Sequence, residues 1–385
     1  VTIEVAAMTD LSDLIVFWAV VAVRFFVPFA IPKFPLPAVL AALVADGIDQ
    51  TIYQQYTELP LDKYQGYDKA LDVYYQTIAY LSTLRSWTNR SAFRISRFLF
   101  YYRIIGVSLF ELTGFRALLI IFPNTFEYFF IFYETVRLKW NPKRYGIAFL
   151  IASTAVIWVV IKLPQEFILH IIQVDTTEWI GENVFSGDSA STFIYMPGTA
   201  IISILLIVAT VWLTRRIPPA DWKASVSVDT HLAPLPAVNE DGGPPSPSRR
   251  LQFMELVEKI TVVALVGIIF AKSLPDVRAT GGEIAIGGTI LLLISTAVSQ
   301  WLSSRGTSWI ATYVEFVAML AVNLFLILLI SFLLPSYDGS FNFINVVFFT
   351  LLFTVVITMF DRYKQIYRQR FAISQTGTEA QHVSG

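Results

Sequence analysis

The sequence predicts an all-α, polytopic integral membrane protein, and three observations carry the prediction. Of 385 residues, 55% are hydrophobic and only 15% are charged, where a soluble domain carries about 25% charge. Apolar stretches of about 17 residues or more recur along the chain, each long enough to cross a hydrocarbon core as a helix. Lysine and arginine collect in alternate connections, as the positive-inside bias of membrane chains requires.

The first apolar run, 12–31, follows "MTDLSDL", so a start at Met8 reads more naturally than one at Val1. No basic region precedes it and no small-residue cleavage site follows, so it reads as a retained helix rather than a signal peptide. After the breaker "PKFPLP", the stretch 36–53 is cleanly apolar only to Ala45. It reads as a half-inserted or surface helix, a short polar element over 36–56. Full spans are expected at 68–85, 95–113, 115–136, 146–163, 197–214, 254–272, 283–302, 309–334 and 343–361. With the first run they make about ten transmembrane helices, or eleven if 36–53 also crosses.

The spans divide into an N-terminal membrane bundle (1–216) and a C-terminal four-helix bundle (251–371), followed by a tail, 372–385. Between the bundles, 217–250 is polar and proline-rich and cannot bury enough apolar surface to fold alone, which predicts a disordered cytoplasmic linker. No internal repeat is visible.

Arg85, Arg90, Arg94 and Arg97 follow the second span, Arg137, Lys139, Lys143 and Arg144 the fourth, and Arg362, Lys364, Arg368 and Arg370 the last. With ten alternating spans these clusters, the linker and both termini share the cytoplasmic side of a cell membrane. The acidic segment 164–196 contains no Lys or Arg and is expected outside. Its start, "PQEFILHIIQ", has the alternation of a surface-lying amphipathic helix.

The absence of cysteine excludes disulfides, thiolate metal sites and cysteine nucleophiles. Three histidines (His170, His231 and His382) are too scattered for a histidine-rich metal centre, and a net charge of −1 gives no electrostatic reason for a nucleic-acid partner. The partner that the composition demands is the lipid bilayer.

Two groups of residues are candidates for chemistry. Arg24, Arg103 and Glu127 are ionisable groups inside apolar runs, where charge is costly and marks either a forced pair or a site. They are candidate binding residues for an anionic small molecule or lipid head group. Arg103 and Glu127 flank a tight turn near Gly114 at similar depth, which predicts a buried pair. Pro123 in "FPNTFEYFF" predicts a kink.

Asp46 and Asp49 share one helix face at spacing three, and Asp68 and Asp72 another at spacing four. The connection between them is long enough for the helices to fold back together, at the outer interface in the ten-span arrangement. Four converging carboxylates repel unless a cation or an arginine lies between them, with Lys63 and Lys69 as nearby pairing partners. Oxygen-only ligands suit Mg²⁺, Ca²⁺ or Mn²⁺, so the four aspartates are a candidate divalent-cation site. The paired spacing is similar to the aspartate motifs of membrane prenyltransferases and of CDP-alcohol phosphotransferases. The Asn-Asp start of the first and the Ala-Arg continuation of the second are absent here, so the resemblance assigns no family.

Three functions fit these features. A transporter or permease for a small polar or anionic substrate would use the buried charges and is the first expectation. A metal-assisted membrane enzyme acting on a phosphate-bearing lipid would use the aspartates. A membrane scaffold or assembly protein needs neither.

Overall fold

Every regular element among the described residues is helical, as long apolar runs without turn punctuation require. The computed structural model describes residues 11–58, 61–167, 218–232, 249–273, 293–294, 297–298, 309–333 and 343–383. The expected spans 197–214 and, for the most part, 283–302 lie outside these residues, as does the acidic segment beyond Phe167, including His170.

The helices are α1 (Leu11–Phe26), α2 (Pro35–Tyr56), α3 (Leu61–Ser86), α4 (Arg90–Thr113), α5 (Ala117–Ile121) and α6 (Thr125–Arg137). Next comes α7 (Ile147–Val156), which continues through a π-helical stretch, Ile157–Lys162, into α8 (Leu163–Phe167). The C-terminal part gives α9 (Arg249–Ser273), α10 (Trp309–Leu333) and α11 (Phe343–Val383). Three stretches among the described residues are long and apolar enough to cross a membrane: Leu11–Ala30, Ile147–Glu166 and Phe343–Arg370.

Helix α3 is not among these three, because it carries many polar side chains. It is as long as a span, 26 residues, yet it buries Tyr74, Tyr75, Gln76, Thr77, Tyr80, Ser82 and Thr83. It touches α1, α2, α4, α9 and α11. A helix packed against several others can carry hydroxyl and tyrosine side chains, and those of Tyr75, Thr77, Tyr80, Ser82 and Thr83 all donate hydrogen bonds.

α9 packs on α3 and α4, α11 packs on α3, and α10 packs on α11; one apolar cluster runs from Phe17 in α1 to Phe360 in α11. Ion pairs lock the same junction: Glu258 of α9 accepts from Tyr80 Oη at 2.7 Å and from Lys364 Nζ at 2.6 Å, and Lys259 bonds Asp361 at 2.7 Å. The expected pair of bundles therefore shares one core.

The first three helices run up and down beside one another. At one end the backbone N–H of Glu58, after α2, donates to Asp13 of α1 at 3.3 Å. At the other end Arg85, closing α3, donates to the carbonyl of Pro32 in the α1–α2 turn. The stretch 36–53 lies in α2, which at 22 residues and about 1.5 Å per residue runs beside α1 and α3 between these ends. The start of α1 consequently lies at the end opposite Arg85, whereas ten alternating spans with a shallow 36–53 element place both on one side.

Part of the expected linker is also ordered. Residues 218–232 form a strap across the Arg85 end. Asp221 accepts from the Asn141 backbone N–H and from Arg144 Nη1, both at 2.8 Å, which holds its carboxyl below the usual carboxylate range. Val228 N–H donates to the Lys33 carbonyl at 3.0 Å, and Asp229 accepts from Arg85 Nη2 at 2.7 Å. The strap stays because Val228 is buried and Trp222 stacks on His231 with ring centroids 4.4 Å apart.

Helix ends follow their residues. Asn89 Oδ1 caps α4 by accepting from the backbone of Ser91 (2.9 Å) and Ala92 (3.1 Å). Gly114 closes the helix in the left-handed region at φ 71°, where a side chain would be strained. The expected span 115–136 is interrupted, since Pro123 has no N–H to continue a helix, and its halves are α5 and α6.

Candidate functional site

Asp49 stands seven residues before the end of α2 at Tyr56, and Asp68 seven after the start of α3 at Leu61. Asp46 and Asp72 stand one further turn away from the α2–α3 connection on either helix. An antiparallel pair with a short connection sets equal distances from the turn at equal depth. The four aspartates therefore form two rungs between α2 and α3, about 10 and 16 Å from the turn at 1.5 Å per residue. This places the cluster near the middle of α2 and in the first half of α3.

Arg24 of α1 fills the ladder. Its Nη1 donates to Asp49 and Asp68 and its Nη2 to Asp46 and Asp72, so each nitrogen serves one rung. The Arg24 and Asp49 side chains are each 3% exposed, whereas those of Asp46 (27%), Asp68 (38%) and Asp72 (38%) are open on one side. Tyr64, one turn before Asp68, donates its hydroxyl to Asp49 and lies 3.3 Å from Arg24 Nη1. Lys69 pairs with Glu111 at 3.2 Å and reaches Asp68 through electrostatics alone. The side chain of Lys63 lies outside the described residues.

Two layers result. Arg24, Asp49 and Tyr64 make a buried base, and above it Asp46, Asp68 and Asp72 bring one carboxylate oxygen each to within 4.8 Å of one another. That spread suits three ligands on one divalent ion with metal–oxygen distances of about 2.0–2.6 Å. The charges also call for a cation, because one guanidinium faces four carboxylates. Arg24, a candidate substrate contact, has both terminal nitrogens engaged by aspartates.

The expected pair of Arg103 and Glu127 is not formed. Arg103 Nη1 donates to the Phe122 carbonyl at 3.1 Å, because the break at Pro123 frees that oxygen within its reach. Glu127 instead accepts from Tyr75 Oη at 2.7 Å and from Asn124 Nδ2 at 2.6 Å. Lys162 and Glu166, 3.8 Å apart, complete this second polar centre, with Asn124 N–H donating to Glu166 at 3.2 Å. The two centres adjoin: Tyr75 follows Asp72 by less than one turn of α3, and Asp46 acts electrostatically on Glu127.

Sequence reasoning missed Tyr64, Tyr75, Lys162 and Glu166. Tyr64 was detectable as the residue one turn before Asp68 on the same face. Lys162 and Glu166, spaced i,i+4 beyond an apolar run, looked like ordinary boundary residues.

Comparison of the chain with known protein families, with curated proteins and with solved structures finds no match. No family is assigned.

Proposed function

We propose that the chain is a divalent-cation-dependent membrane enzyme acting on a phosphate-bearing lipid. The observation that carries this reading is the open triad Asp46, Asp68 and Asp72 above the closed base of Arg24, Asp49 and Tyr64. Three carboxylates leave open positions on a divalent ion, and phosphate oxygens are the usual partners of such positions on Mg²⁺. The bound ion would act as a Lewis acid on a phosphoryl oxygen. Carboxylates that are part-exposed at mid-depth cannot face hydrocarbon, so they imply a polar recess that admits a head group.

The reading extends to the membrane arrangement. α2 and α3 cross together with α1, which favours eleven spans over ten. The end carrying Arg85 and the strap faces the cytoplasm of a cell membrane, together with the C-terminus. Thr230→Cys in this cysteine-free chain should then resist an impermeant thiol reagent applied outside intact cells.

In vesicles holding the full chain, turnover of an anionic phospholipid head group should require Mg²⁺ or Mn²⁺, stop on chelation and stop with Asp72→Asn. Metal-independent turnover would overturn the proposal. A second reading, a transporter of a small polar or anionic substrate, is favoured by the buried charges Glu127, Lys162 and Glu166 beside a helix break. Solute uptake by the same vesicles, with no head-group turnover, would select it. Neither activity would leave the scaffold reading.

A further inference from the structure

Two helices lose their regular hydrogen bonding at one place. Phe122–Asn124 separates α5 from α6, and Ile157–Lys162 carries α7 onward in π form, a conformation rare in general and frequent at functional sites. The break and the end of the π stretch are joined through their flanks, α6 and α8. Besides the Asn124–Glu166 bond, Tyr128 Oη donates to Gln165 Oε1 at 3.2 Å. Lys162 Nζ donates to the same oxygen at 3.0 Å and sits 4.4 Å from the Tyr128 ring centroid.

Among the described residues, three buried groups at this break have no hydrogen-bond partner: Asn124 Oδ1, Thr125 Oγ1 and Arg103 Nε. Asn124 is 7% exposed and Thr125 1%. A buried polar atom left unpaired is costly, about 1–3 kcal/mol, and native structures keep few of them. The free Asn124 oxygen belongs to the same amide that donates to Glu127, so its orientation is fixed by that carboxylate. Charge at the break is balanced, with Arg103 and Lys162 against Glu127 and Glu166, and Lys162 lies within electrostatic reach of the other three.

A balanced site gives no net attraction to an ion. It offers a charged N–H donor on Arg103 and, beside Glu127, an amide oxygen and a hydroxyl. We propose that the break between α5 and α6 binds a small zwitterionic solute, its anionic end on Arg103 Nε–H and its ammonium end on Asn124 Oδ1 and Thr125 Oγ1. The site differs from the aspartate centre, and its test measures binding alone, so failure of either proposal leaves the other's experiment intact.

The chain contains no cysteine, so a single Thr125→Cys reports on the site; its sulfur is a weak acceptor in place of Oγ1, and Arg103 Nε–H and Asn124 Oδ1 remain to hold the two ends of the solute. A small water-soluble thiol reagent should modify this cysteine in membranes despite its burial. Glycine or alanine in excess should slow the modification at least several-fold, whereas acetate, methylammonium and glycerol at equal concentration should not. Adding Arg103→Met or Asn124→Leu to the cysteine variant should remove the protection. An unreactive cysteine in folded protein would overturn the proposal. So would a reactive one that no zwitterion protects, or one that glycerol or a simple ion protects equally.

Discussion

Asp49 and Asp68, on different helices, accept hydrogen bonds from the same nitrogen, Nη1 of Arg24. The equality of their distances from the α2–α3 turn makes this sharing possible, and the next rung, Asp46 with Asp72, repeats it on Nη2. Arg24 thus sets the register of three helices through one planar group.

Replacing Arg24 should therefore be among the most destabilising single changes. Arg24→Gln removes the only cation bonded to the four carboxylates among the described residues, and breaking a buried ion pair from one side costs about 3–5 kcal/mol. Thermal unfolding in detergent should show a large fall in Tm, smaller in Mn²⁺ than in a chelator.

The two layers predict opposite signs for similar substitutions. Asp49→Asn weakens a charge-assisted bond to a fully buried guanidinium and should cost about 1–3 kcal/mol. Asp72→Asn removes one of the uncompensated charges while keeping an oxygen for Arg24. Without divalent cations it should leave Tm unchanged or raised, while abolishing stabilisation by Mg²⁺ or Mn²⁺. Equal losses from both variants would show that the layers are not distinct.

Gly106 of α4 lets the α5–α6 break close against it, since a Cβ at this position would fall inside the Phe122 side chain. Gly106→Ala should cost about 1–3 kcal/mol by overpacking, and Phe122→Gly in the same chain, which removes the Cβ that the new methyl meets, should recover part of the loss. Unfolding of the single and double variants measures both.

The strap should loosen in acid. His231 titrates below its ordinary 6.5, first because it is partly buried against Trp222 and then because Arg137 is near. A histidine with a lowered folded pKa contributes its full stability above about pH 6.5, and loses it as pH falls through the folded value, because the unfolded strap binds the proton more readily. The protection factors of the 218–232 amides, hydrogen-exchange rates corrected for the intrinsic rate at each pH, should fall below pH 6.5 in the native chain and not in His231→Gln. Protection that is flat with pH in both would contradict this.

What the residues revealed in advance depended on periodicity. The spacings of Asp46 with Asp49 and of Asp68 with Asp72 placed each pair on a helix face, and the need for a positive partner followed from charge. That Arg24 would be the partner was not legible, because 36–53 looked too short and polar to stand beside α1. Only the contacts of Pro32 with Arg85 and of Glu58 with Asp13 reveal the antiparallel trio. The Arg103–Glu127 pair failed for a related reason: depth counting assumes unbroken helices, and Pro123 breaks one between them. Tyr75 and Lys162 were hidden because tyrosine and boundary lysine are common in membrane chains without a role.

The most direct test of the aspartate centre is Mn²⁺ binding to the purified full chain, followed by electron paramagnetic resonance. A single bound ion per chain is expected, lost in Asp46→Asn, Asp68→Asn and Asp72→Asn and kept in Glu127→Gln. No bound Mn²⁺ at saturating concentrations, or binding that survives all three aspartate substitutions, would contradict the account.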